Sequence, residues 1–138
     1  MIPVYQTRFG KDGNCFPACI ASLLECSIGS VDWDVPDDGA WIKVYNDKLA
    51  ETGLMFVEIP FQDELPTLPD GCLLLICGKS KGGLLHSAIG RYNRAGKDIA
   101  ITCIHDPIAE DSDKAYLTEI KYVGFLARRF MEVDNVEA

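Results

Sequence analysis

From Cys15 to Glu25 the chain is small or apolar at nearly every position, a pattern that suits a helix buried all round. Pro17 fits such a helix only in its first turn, where the missing N–H removes no intrahelical bond. Gly10, Lys11, Asp12, Gly13 and Asn14 before it are turn and cap residues. A second helix is predicted over 39–52, capped by Asp37 or Asp38. Trp41, Val44, Tyr45 and Leu49 fall on one of its faces, and Gly53 ends it. The stretch between the helices, Ser27 to Asp38, is turn-rich and acidic and reads as a loop. After Gly53 the period changes. Leu54–Ile59, the continuous apolar run Cys72–Cys77, the alternating run His86–Tyr92, Ile99–Ile104 and Ile120–Arg129 read as strands. Pro60, Pro66 and Pro69 mark a loop over 60–70, and 108–117 is a polar loop. Gly78–Gly83 lacks the leading glycine of a phosphate loop and reads as a hairpin turn, as does Asn93–Gly96. Residues after Phe130 read as a frayed tail. Helices first and closely spaced strands second predict an α+β domain over 1–138, with the cysteine helix packed on an antiparallel sheet.

Composition narrows the picture. A length of 138 residues with 48% hydrophobic content is enough for one domain with a real core. No apolar run approaches the ~20 residues needed to span a bilayer. The start, Met-Ile-Pro-Val-Tyr-Gln, has neither basic head nor apolar signal core. A cytosolic protein without membrane contact is therefore expected. A net charge of −8 argues against nucleic acid as a partner, because phosphate binding needs a basic surface. Glu110, Asp111 and Asp113 form one local acidic cluster, without the glycine and distal glutamate of a calcium loop. The six cysteines invite a disulfide framework, but a reducing compartment argues against one. Cys72, Cys77 and Cys103 sit in apolar runs as small hydrophobes. With no Cys-x2-Cys pair, and His86 and His105 as the only histidines, zinc is not expected either. No cofactor is expected.

The candidate chemistry starts at Cys15. A thiol at a helix start lies near the positive end of the dipole and the unpaired N–H groups, which favour the thiolate, the nucleophilic form. Attack on a carbonyl needs a base, and His86 opens a strand beside a glycine-rich turn. Strands 86–92 and 99–104 are joined by a short turn and pair antiparallel. The start of one therefore lies beside the end of the other, which brings His86 and Asp106 to one sheet edge. Asp106 would orient His86. The Cys15 backbone N–H and the Gln6 side chain are candidate oxyanion donors. Each residue has a plainer rival. A cysteine in an apolar helix is usually core, as Cys19 and Cys26 read. A strand histidine is more often structural. His105 is an alternative base, although beside Asp106 on a strand the two point to opposite faces.

These residues carry a resemblance. An early Gln6, Gly13-Asn14-Cys15-Phe16-Pro17-Ala18-Cys19 opening a helix, Leu85-His86-Ser87-Ala88 opening a strand and His105-Asp106-Pro107 closing the next resemble the papain-like cysteine peptidase superfamily. The likeness is strongest to its compact branch related to the double-glycine leader peptidases of bacteriocin exporters, and to small papain-fold proteins of bacteriophages. It spans about Val4 to Phe130. It implies a papain-like fold, Cys15 as nucleophile, His86 as general base and acid, Asp106 orienting His86, and Gln6 lining the oxyanion hole. It also implies a host-cytoplasm location if phage-encoded.

Three functions follow as expectations. The first is a hydrolase of peptide or isopeptide bonds acting on a peptide or protein. The second is an acyltransferase on the same triad. The third is a silent papain-fold module that binds or inhibits a host or phage protein partner. Trp33, Trp41 and Phe61 are candidates for the rim of a specificity pocket.

Overall fold

The structure, a computed structural model, describes residues 1–35, 40–62, 65, 67–108 and 117–130. It is α+β. Helix α1 spans Cys15–Leu24 and α2 spans Trp41–Leu49. The strands are β1 (Leu54–Pro60), β2 (Leu73–Ser80), β3 (Leu85–Ala95), β4 (Asp98–His105) and β5 (Leu117–Arg128). They form one five-stranded sheet in the order β1-β5-β2-β3-β4, and every neighbouring pair is antiparallel.

The helices lie where the apolar pattern puts them. Pro17 is the third residue of α1, inside its first turn. Ala18 to Ser22 are five consecutive buried residues, so the helix is enclosed on all sides at its middle. Glu25 ends it in the left-handed conformation at φ 57°. α2 is shorter than the 39–52 expected. Its last turn tightens into a 3-10 turn over Ala50–Thr52, and Gly53, at φ 75°, closes that turn. Asp37 and Asp38, the expected caps, lie outside the described residues, as do Glu110, Asp111, Asp113 and the tail from 131.

Strand ends extend past the sequence reading because the sheet supplies partners that local pattern does not show. Gly78 and Lys79 belong to β2, not to a turn. The hairpin tip is only 81–84, closed by bonds from Ser80 to Leu84 and from Gly83 to Ser80. Asn93, Arg94 and Ala95 likewise continue β3. Ala95 pairs with Asp98, leaving a two-residue turn at Gly96-Lys97 with Gly96 at φ 63°, as tight hairpins favour.

Both helices pack on one face of the sheet. Cys19, Ile20, Tyr45 and Leu49 from the helix side meet Phe56, Leu75 and Ile89 from the strands. Phe16 centres this layer. Its ring meets Trp41 at 4.7 Å, Tyr45 at 4.8 Å and Phe56 at 5.2 Å, all edge-on, contacts worth about 0.5–1.5 kcal/mol each beyond burial. They fix α1 to α2 and β1. On the other face Ile76, Ala88 and Val123 form a second cluster with Ile59, Leu65 and Ile101. Among the described residues no helix is long and apolar enough to cross a membrane.

Candidate active site

Cys15 is the first residue of α1. α1 packs over β3, whose second residue is His86. Asp106 follows the last residue of β4, the neighbour of β3. The hairpin therefore brings His86 and Asp106 to one edge. His86 Nε2 donates to Asp106 Oδ1 at 2.7 Å, with both side chains buried. The same oxygen accepts the Ile108 N–H at 3.1 Å, which fixes the carboxylate. With Nε2 engaged, Nδ1 is the ring nitrogen left for Cys15, which is hydrogen-bonded to His86.

The electrostatics follow from these contacts. Burial pushes the Cys15 thiol up, but the hydrogen bond and charge of His86 and donors from Ser87 outweigh it, and the net shift is downward. Burial pulls His86 down, and Asp106 and Cys15 more than reverse this, raising it to about 9. A thiolate–imidazolium pair is favoured. Three other thiols go the opposite way: burial raises Cys72 and Cys77 and pushes Cys19 well up. No disulfide joins any of the six cysteines. Cys19 and Cys26 sit in the main core or against it. No group of three or more His, Cys, Asp or Glu among the described residues could hold a metal ion.

Gln6 comes to the same place from the chain's first segment. Its N–H donates to the Pro107 carbonyl at 2.8 Å, beside Asp106. Its Nε2 donates to the Arg8 carbonyl at 2.9 Å. Its buried Oε1 has no partner among the described residues, and neither has Asp106 Oδ2. Gln6, Cys15 and His86 line one slot of about 90 Å³, with Gly10, Gly13, Phe9, Leu84 and Leu85 around it. All four predicted residues thus meet.

His105 serves elsewhere. Its Nε2 donates to the Val4 carbonyl at 2.7 Å and its ring packs edge-on against Tyr5 at 5.1 Å. It ties the first segment to the end of β4, leaving His86 as the histidine at the thiol. A hollow of about 510 Å³ lies beside the slot and shares Gly13 with it. Trp33 and Trp41 line it. Phe61 does not: it lines a separate hollow with Leu65, Ile99 and Ile101, on the side of the sheet away from the helices.

Three features were not visible in the sequence pattern. Ser87 offers its N–H and hydroxyl to the Cys15 sulfur. Gly78 pairs with both His86 and Ile120, and a Cβ there would land on the Glu119 carbonyl. Only glycine lets β5 close beside the histidine. Asn14 does not cap α1 with its side chain, but reaches back to Thr7 and Arg8. The run Gly13-Asn14-Cys15 marks the place, but the partners are tertiary. Compared with known proteins, the chain matches no family model, no curated protein and no solved structure.

Proposed function

We propose that the protein is a cysteine hydrolase of peptide or isopeptide bonds with a papain-like fold. The observation that carries this reading is the buried relay from Cys15 through His86 to Asp106, closed at 2.7 Å. The Cys15 thiolate attacks the carbonyl carbon, and the carbonyl π electrons move to oxygen. The N–H of Cys15, among those that open a helix without an intrahelical partner, supplies one donor to that oxyanion. Gln6, in the same slot, supplies the second. The imidazolium of His86 gives its proton to the leaving amine as the C–N bond breaks, leaving a thioester on Cys15. His86, now neutral, takes a proton from the water that attacks the thioester; the C–S bond breaks, the acid leaves, and the thiolate and imidazolium are restored. Asp106 keeps the ring in the tautomer that presents Nδ1 to sulfur.

The test is a digest of a peptide library read by mass spectrometry, with and without an added primary amine. Cleaved products with the native protein, absent with Cys15→Ala, are expected. Equal cleavage by Cys15→Ala overturns the reading. Amine adducts in place of free acids identify acyl transfer on the same residues.

A further inference from the structure

Asn14 is 1% exposed and directly precedes the nucleophile. A buried asparagine in front of a helix usually accepts an N–H of the first turn. This one makes no such bond. Its Oδ1 instead accepts the N–H groups of Thr7 and Arg8, both at 2.9 Å. Its Nδ2 donates to Thr7 Oγ1 at 2.8 Å and to Asp32 Oδ2 at 3.1 Å. Two lone pairs and two N–H groups exhaust what a carboxamide offers. Its backbone N–H also donates to the Arg8 carbonyl at 3.3 Å.

That Arg8 carbonyl is the one that holds Gln6 Nε2. The Arg8 guanidinium forks onto Asp32 at 2.7 and 3.0 Å, so Asp32 closes the ring of contacts. The packing is close as well: a Cβ at Gly13 would stand 3.3 Å from the Arg8 carbonyl and 3.5 Å from Gln6 Nε2. Asn14 thus binds both ends of the Arg8 peptide from the position next to Cys15. It joins the two oxyanion donors, the Cys15 N–H and the Gln6 amide, in one frame. The thiol is set by other groups, His86 and Ser87.

Resting on the hydrolase reading, we propose that Asn14 is a positioning residue that holds the oxyanion donors in register without setting the state of the thiol. The frame is built for steps that put charge on a carbonyl oxygen, and it is indifferent to steps that do not.

Two probes separate these. Iodoacetamide alkylation consumes the thiolate and builds no oxyanion. p-Nitrophenyl acetate acylates Cys15 through one: the S–C bond forms, the ester C–O bond breaks and p-nitrophenolate leaves. In Asn14→Ala the alkylation rate and its pH midpoint should stay within about twofold of native. The p-nitrophenolate burst should slow by roughly 10- to 100-fold, the scale of a displaced donor. Asn14→Asp combined with Asp32→Asn keeps the bonds from Thr7 and Arg8 to Oδ1 and lets the amide at 32 donate to the carboxylate at 14, so that two carboxylates are not set 3.1 Å apart. It should recover part of the burst, and it serves if the alanine variant fails to fold. An unchanged burst overturns the proposal. So does a joint fall of burst and alkylation in a folded variant, which would make Asn14 a general staple. If native protein itself shows neither a burst nor easy alkylation below pH 8, the hydrolase reading fails and takes this one with it.

Discussion

Removing His86 should move the titration of Cys15 upward, because the imidazole is what draws this thiol down. His86 stands at about 9 against an ordinary 6.5, a preference for the imidazolium on the order of 3 kcal/mol. Part of that preference comes from Cys15, which is drawn down in return. In His86→Ala both the hydrogen bond and the charge go. Burial, the largest influence on this thiol, is then opposed only by Ser87, and Cys15 should titrate at or above its ordinary 9.0. At pH 6 such a thiol is thiolate in about one molecule in a thousand or fewer. Lowering a thiol pKa by one also makes the thiolate about threefold less nucleophilic, so the rate understates the change and the midpoint is the cleaner reading. The assay is iodoacetamide labelling from pH 4 to 10, followed residue by residue through peptide masses. Native Cys15 should label with a midpoint below 9, ahead of Cys19 and Cys77. His86→Ala should shift the midpoint upward and slow labelling at pH 6. A folded His86→Ala protein with the native midpoint would refute the pairing on which the site rests.

The remaining predictions are simpler. His105→Ala should leave the Cys15 midpoint in place, since His105 holds Val4; a shift equal to that of His86→Ala would reassign the base. Because His86 is raised in the folded state, its contribution is fully present below about 6.5 and lost as pH rises through about 9. Depressed Cys15 acts in the opposite sense, contributing above its unfolded value and losing this as pH falls through its folded one. With the opposing thiol removed in a Cys15→Ala background, Asp106→Asn should shrink the loss of stability between pH 6 and 9 by about 1–3 kcal/mol in urea melts; an equal loss with and without Asp106 would contradict the linkage. Gly78→Ala should lower stability by about 1–3 kcal/mol and the melting temperature with it, because the obstacle is the Glu119 backbone. Tyr45→Phe leaves the Val31 carbonyl without the hydroxyl that donates to it at 2.8 Å, and should cost about 1 kcal/mol.

What could be read from the sequence was what local rules determine. Pro17 with the turn residues before it set the start of α1 to the residue. Alternation and a short turn paired β3 with β4 and so joined His86 to Asp106. Long-range pairing carries no such signal: β5, last in sequence, lies between β1 and β2, and only the assembled sheet shows why residue 78 is glycine. Asn14 looked like a cap because caps are local, while its bonds go to residues 7, 8 and 32. The first segment, in which the sequence singled out only Gln6, is a strap. Ser22 receives its Val4 N–H, Pro107 its Gln6 N–H and Asn14 its Thr7 and Arg8. Phe61 was misplaced because an aromatic after a strand does not say which side of the sheet its loop will take.

The order of these parts along the chain has a consequence for synthesis. Gln6, Asn14 and Cys15 leave the ribosome first, and Asp106 follows 91 residues after Cys15. At ~5–20 residues per second that interval is roughly 5–20 s. β2 then still waits for β5, which ends at Arg128. Throughout that time Cys15 has neither a docked imidazole nor a buried helix start to draw off its proton, and it behaves as any cysteine of a nascent chain. The lowering of Cys15 thus belongs to the assembled sheet, which cannot close until β5 has emerged.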